Sequence, residues 1–356
     1  MNRHSFKFYV LSIKRNIIPI IFLIFTIFLI IFSQSNLIAA KSGLKLWALN
    51  VVPSLFPFFI ATNLLNHTNV VKYFSKLFNK IMRPIFNVPG EASYAFILGL
   101  ISGYPVGAKI VTNLRNSGLC TKDEGERMLC FTNNSGPLFV LGTVGITLFA
   151  NYSIGILLLF THILSAISVG IILGFISRSQ KKKDSSNSSI QFTQYHSNNN
   201  LCTFSNLGEV LSSSILDASK TIIMIGGFVI IFSVLLAILE KSHVLAVLSL
   251  PISHLLDFFG INPNFAQSLV SGMIELTNGV SLVTSIASKN IYPNIIICAF
   301  LLGFGGFSVM LQVLSITSKS DLSIKKYFYG KLLQGVLSAI YTLMFLNIFP
   351  IFNLNL

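Results

Sequence analysis

Apolar residues fill this chain in long runs, and the runs are broken by short stretches rich in glycine, proline and asparagine. Residues 17–32, 46–65, 154–176, 221–239 and 332–349 are near-continuous apolar segments, close to the length a helix needs to cross a hydrocarbon core about 30 Å thick. Residues 70–85 carry a different pattern. Val70, Val71, Phe74, Leu77, Phe78, Ile81, Met82 and Ile85 recur at helical spacing, while Lys72, Lys76, Lys80 and Arg83 fall off that stripe. Such a basic amphipathic helix lies in the membrane interface. Residues 244–259, punctuated by Pro251, take the corresponding place later in the chain.

Two segments are apolar yet interrupted. The first, residues 92–145, holds Ser102, Gly103, Tyr104, Pro105, Val106, Gly107, Ala108 and Lys109, then Asn133, Asn134, Ser135, Gly136 and Pro137. The second, residues 266–315, holds Ser271, Gly272, Glu275, Thr277, Asn278 and Gly279, then Gly303, Phe304, Gly305 and Gly306. Free backbone groups cost several kcal/mol each in lipid, so a broken helix persists only where protein or a polar cavity satisfies them. Broken segments at matching places in two halves point to a transporter's binding site. The pattern predicts hairpins over residues 92–114 and 265–287, and broken helices over 129–150 and 295–316.

Composition and charge sharpen this picture. The chain is 53% hydrophobic and only 10% charged, against about 25% charged residues in soluble domains. It is read as an all-α polytopic membrane protein. Its net charge of +14 lies largely in short connecting segments, where Lys and Arg mark the cytoplasmic side. Cations spread between spans argue against nucleic-acid binding, although they also suit an anionic substrate. The basic start (Arg3, Lys7, Lys14, Arg15) and the first apolar run imitate a signal peptide, but Leu37 or Ile38 spoils the small-x-small site before Ala39 and Ala40. Residues 1–40 are therefore expected to keep an uncleaved helix entering from the cytoplasm.

The sign rule also orders the rest. Residues 41–176 make a first repeat, 177–206 a polar, flexible cytoplasmic linker, and 207–356 a second repeat. Lys72 to Arg83, together with Arg115, Lys122 and Arg127, place the first hairpin's base inside; the second's falls outside, so the repeats are inverted. Lys319, Lys325, Lys326 and Lys331 precede the last helix and are expected to be cytoplasmic.

The breaks also supply the candidate chemistry. Half-helix N-termini suit a carboxylate or phosphate, and unwound carbonyls suit a cation. The substrate-binding candidates are Ser102, Gly103, Tyr104, Gly107, Lys109, Asn133, Asn134, Ser135, Gly136, Ser271, Gly272, Thr277, Asn278, Gly305 and Gly306. Lys109 either counters a substrate carboxylate or snorkels to the surface. Glu275 is the candidate coupling residue, taking a proton or a cation. Asp123 and Glu124 after Thr121 read as a capped helix start. The four cysteines and six histidines show no metal or disulfide spacing. No catalytic motif appears, so no cofactor or metal is expected and an enzyme is the weakest class.

The block from Ser102 to Lys109, followed by Asn133–Phe139 and by Gly142, Thr143, Val144 and Gly145, closely resembles the YlbJ family of sporulation integral membrane proteins, within the nucleoside-recognition or gate proteins. The resemblance covers residues 42–349. It implies a fold similar to concentrative nucleoside transporters, with paired hairpins and broken helices around a midplane site. It also implies passage of dipicolinate, a small aromatic dicarboxylate, across the outer forespore membrane. A cation-coupled nucleoside carrier and a non-transporting scaffold of a sporulation complex stay open beside that reading.

Overall fold

The computed structural model describes residues 3–181, 203–287 and 290–348, and all regular structure among them is helical. After α1 (Arg3–Ile31) the chain bends by 99° into α2 (Ser33–Leu46), which continues through a wide turn, Trp47–Val51, into α3 (Val52–Asn66). The second helical path thus begins at Ser33, well before residue 46. Its early part carries Ser33, Ser35, Lys41 and Lys45 and gives no apolar signal. Packing holds it instead: a Cβ on Gly43 would fall 2.8 Å from Ser233 Oγ, and Trp47 Nε1 donates to the Ile222 carbonyl at 2.9 Å.

The amphipathic α4 (Val70–Ile81) exposes Tyr73, Leu77 and Ile81 beside Lys76 and Lys80, as an interfacial helix does. A wide turn, Met82–Phe86, leads to the first hairpin, α5 (Ala92–Ser102) and α6 (Val106–Asn116). Next, α7 (Lys122–Thr132) starts earlier than residue 129 because Thr121 and Glu124 close a capping box. Thr121 Oγ accepts from the Glu124 N–H at 3.2 Å and the Glu124 carboxylate accepts from the Thr121 N–H at 2.9 Å. A break at residues 133–137 precedes a wide-turned helix, Leu138–Leu148, and α8 (Tyr152–Lys181). Because α8 runs to Lys181, the expected linker is shorter at its start, and residues 182–202 of it lie outside the described residues.

The second half opens with α9 (Leu207–Lys241), far longer than the expected 221–239. Asn63 Nδ2 donates to the Ser214 carbonyl at 3.3 Å, anchoring this extra, more polar start against α3. Then come α10 (Val244–Phe258), the second hairpin of α11 (Phe265–Ile274) and α12 (Leu276–Ser285), and α13 (Tyr292–Phe304) broken at Gly305 from α14 (Gly306–Thr317). The last helix, α15 (Lys325–Ile348), begins before residue 332, and Phe349 lies outside the described residues. Among the described residues four helical stretches are long and apolar enough to cross a membrane, and the bent α1–α2 pair makes a fifth if taken as one span. The chain is a polytopic all-α membrane protein.

Lipid tails are as apolar as leucine, so close backbone approach and hydrogen bonds must hold such helices together. The hairpins illustrate this. A Cβ on Gly107 would sit 2.2 Å from the Thr132 carbonyl oxygen, and one on Gly279 would sit 1.9 Å from Gly272 Cα. Along α9, the first hairpin lies against the first half, where Lys109 and Thr221 share a cleft, and the second closer to the end, where Asn278 meets Ser233. Its base shares a groove with Glu240, whereas Arg115 at the first hairpin's base pairs with Asp321 at 2.9 Å.

Candidate functional site

The first break is unwound backbone sealed inside protein. Asn133 is extended (φ −99°, ψ 101°), and Asn133, Asn134 and Ser135 are buried. Every freed group there needs a partner, and α15 and α8 supply several. Lys331 Nζ donates to the Asn133 carbonyl at 3.0 Å and to Gln334 Oε1 at 2.6 Å. Gln334 Nε2 donates to Asn134 Oδ1 at 2.9 Å, and Asn134 Nδ2 to the Phe131 carbonyl at 2.7 Å. The Ser135 N–H donates to His162 Nε2 at 3.2 Å. Asn133 itself works in two directions: its Oδ1 accepts from the Ala108 N–H at 3.3 Å, capping α6, and its Nδ2 donates to the Tyr327 hydroxyl at 2.9 Å.

At the second break, Gly305 takes φ +84°, a left-handed conformation suited to glycine. The Leu302 carbonyl, freed at the end of α13, accepts from both Tyr104 Oη and Ser135 Oγ at 3.4 Å. A Cβ on Gly305 would fall 2.7 Å from Tyr104 Oη, one on Gly103 would fall 2.8 Å from the Gly136 nitrogen, and one on Gly306 would fall 3.1 Å from the Gly272 oxygen. Both hairpin tips and both breaks therefore meet at one point.

A cavity of about 100 Å³ opens there. Its polar wall comes from Tyr104, Ser135, Thr143, Glu275, Thr277, Ser308 and Gln312, with the Gly103 and Gly136 backbone. Leu46, Val51, Leu55, Ile225 and Val229 close the apolar side. Glu275 is the one charged residue on the wall. It stands extended at the start of α12, is 4% exposed, and accepts from the Asn278 N–H at 2.8 Å. Among the described residues it forms no ion pair. Lys331 lies behind the wall, 5.2 Å from the centre of the Tyr104 ring, and is fully buried without a carboxylate partner among the described residues.

The structure thus divides the expected site residues. Gly103, Tyr104, Ser135, Gly136, Glu275 and Thr277 line the cavity, and Gly305 and Gly306 form the break that borders it. Asn133 and Asn134 do not line it, because their side chains brace the break from behind. Ser102 is engaged with Thr62, their hydroxyls 3.0 Å apart, and Gly107 and Gly272 serve close packing. Ser271 and Asn278 face a separate groove. Lys109 is half-buried in a narrow cleft with Asn63, Asn113 and Thr221, away from the cavity. Lys331, expected among the cations preceding the last helix, is instead inside the protein, because α15 begins at Lys325. Tyr327, Gln334, His162, Ser308 and Gln312 were not anticipated. For Lys331 and Gln334 a signal existed: two polar residues three apart on an otherwise apolar helix. Among the described residues no group of His, Cys, Asp and Glu side chains is arranged to hold a metal.

Comparison with known proteins identifies the family. A family model described as Gate, nucleoside recognition, matches residues 48–177 and 222–320. The chain is 35% identical over 339 residues to the sporulation integral membrane protein YlbJ of Bacillus subtilis (strain 168), covering 94% of this chain and 83% of that protein. No solved structure matches.

Proposed function

The chain belongs to the nucleoside-recognition Gate family, with the sporulation integral membrane protein YlbJ as a relative, and from that premise we propose that it is a secondary transporter for a small organic anion. The observation that carries this reading is the cavity where both hairpin tips and both helix breaks converge. The half-helices beginning at Leu138 and Gly306 start beside it, and their N-termini favour negative charge. Lys331, buried behind Tyr104, has no carboxylate partner among the described residues, and an anion in the cavity would favour its charged form. Dipicolinate, moved across the outer forespore membrane, is the substrate that the family resemblance favours.

Glu275 then has a defined part. An anion in the cavity and an ionised Glu275 repel each other, so substrate binding favours the protonated carboxyl. One proton would travel with each anion. The inverted-repeat reading is supported by the places of the hairpins along α9: Lys109 and Asn113 of the first share a cleft with Thr221, and the base of the second shares a groove with Glu240. It leaves the Asp321 end cytoplasmic and the Glu240 end outside.

A nucleoside carrier is the second reading, favoured by the family description and by the hydroxyl- and amide-rich wall of Thr143, Thr277, Ser308 and Gln312. Uptake of labelled dipicolinate and of labelled nucleoside into proteoliposomes separates the two. Accumulation of dipicolinate under an imposed proton gradient is the expected result. Nucleoside uptake alone would replace the anion reading, and uptake of neither would favour a scaffold.

A further inference from the structure

The second hairpin carries a polar stripe that the central cavity does not use. Asn264, which precedes α11, and Gln267, Ser268 and Ser271 on it follow one another at i, i+3, i+4 and i+7, and Asn278, Ser281 and Ser285 at i, i+3 and i+7 on α12. Both stripes face a groove of about 520 Å³, closed on its other side by Ser42, Ser233 and Glu240 from α2 and α9. Exposure falls along it. Gln267, Ser281 and Ser285 are exposed at the mouth, whereas Ser268 and Ser271 are buried within.

These groups are not used up by the protein. Asn278 Nδ2 reaches Ser233 Oγ at 3.3 Å and Ser285 Oγ turns back to the Leu282 carbonyl at 2.8 Å. The hydroxyls of Ser268, Ser271 and Ser281 have no protein partner among the described residues. Hydroxyls facing hydrocarbon without partners cost several kcal/mol in all, and water removes that cost. Asn278, which lines the groove, donates its backbone N–H to the Glu275 carboxylate at 2.8 Å.

We infer that this groove is a hydrated path that brings protons from the Glu240 end of α9 to Glu275, on the opposite side of the hairpin break from the substrate cavity. Its chemistry fits cationic traffic. The wall offers hydroxyls and amides, and its one charged residue is the acidic Glu240. A dicarboxylate is repelled there, so proton and substrate reach the centre from different sides of the hairpin. The inference rests on the coupling role proposed for Glu275, but the hydration of the groove can be tested without any substrate.

Single cysteines replace Ser268, Ser281 and Ser285, and separately the outward-facing Ile223 of α9, in a variant lacking the native cysteines. Membrane-impermeant cationic and anionic thiosulfonates are then applied to the reconstituted protein. All three groove positions are expected to react from the Glu240 side while Ile223→Cys does not. The cationic reagent should react about tenfold faster than the anionic one, the low end of electrostatic focusing in a cleft, and Glu240→Gln should level the two rates. Groove cysteines no more reactive than that of Ile223→Cys would overturn the path, whatever the substrate. Faster reaction with the anionic reagent would overturn its selectivity. For the link to Glu275, Ser281→Leu narrows the exposed mouth without touching the cavity. It should lower proton-driven accumulation at least about tenfold while exchange persists; undiminished accumulation would show that protons arrive elsewhere.

Discussion

Asn133→Ala tests whether the first break is held by its own scaffold. The substitution removes two buried hydrogen bonds, from the Ala108 N–H at 3.3 Å and to the Tyr327 hydroxyl at 2.9 Å. It leaves an uncapped N–H in the first turn of α6 and a buried phenol without its donor. Each such loss costs about 1–3 kcal/mol, and the longer bond belongs at the lower end, so about 2–4 kcal/mol is expected in total. Thermal unfolding of the detergent-solubilised protein should fall by about 3–5 °C. Ser135→Ala is the matched comparison. Its long 3.4 Å contact with the Leu302 carbonyl adds little stability, but it lines the cavity, so it should impair transport more than folding. If Asn133→Ala instead left the unfolding midpoint unchanged and abolished transport, the bracing account would be wrong and Asn133 would contact the substrate.

Three further outcomes follow from the geometry. Glu275→Gln keeps the shape of the carboxyl but cannot release a proton; it should abolish gradient-driven accumulation and spare substrate exchange, measured at equal expression. Lys331→Met removes the buried amine that an anion would hold charged while keeping a long side chain, and should raise the KM for an anion about tenfold, the size of a screened charge interaction across the Tyr104 ring, with little change for a neutral nucleoside. The Asp321 carboxyl is held below its usual 3.8 by hydrogen bonds from the Arg115 guanidinium. A depressed carboxylate contributes above its unfolded value and is lost as pH falls through the folded one. The unfolding midpoints of wild type and Asp321→Asn should therefore differ by a constant small amount between pH 5 and 8 and converge only below about pH 3.8.

Much of this architecture was legible because lipid makes backbone polarity expensive. Clustered Gly, Pro and Asn in apolar runs located both hairpins and both breaks within a few residues of where they lie. The misses have a common cause. The early parts of α2 and α9 are polar helices held by Trp47, Asn63 and Gly43 contacts across about 150 residues or more of sequence, and no local window records such a contact. The site was legible by region and not by role. A buried asparagine that caps another helix and one that faces a substrate have the same sequence signature, so Asn133 and Asn134 were read as donors to the ligand. Lys331 is hidden for the opposite reason: it sits nearly two helical turns inside α15, where the lysines ahead of it blur the boundary between topological and buried charge.

The two ends of the molecule differ in a way that bears on the transport reading. At the Asp321 end, ion pairs join the first hairpin and α7 to their neighbours: Arg115 with Asp321, Arg83 with Glu124, and Lys326 with Asp123 and Glu126. Asn116 Nδ2 adds a hydrogen bond to the Lys319 carbonyl at 3.4 Å. At the Glu240 end the second hairpin faces an open polar groove instead. On the proposed function this is a state closed to the cytoplasm, with the proton groove open to the other side. Its closure is built mostly from partly exposed pairs, which contribute only about 0–1 kcal/mol each. A latch of that strength can be released by the few kcal/mol that substrate and proton binding supply. A closure packed from buried aromatic side chains would have required more. Charge at the closed end and hydroxyls at the open one are thus what a carrier needs to alternate without unfolding its hairpins.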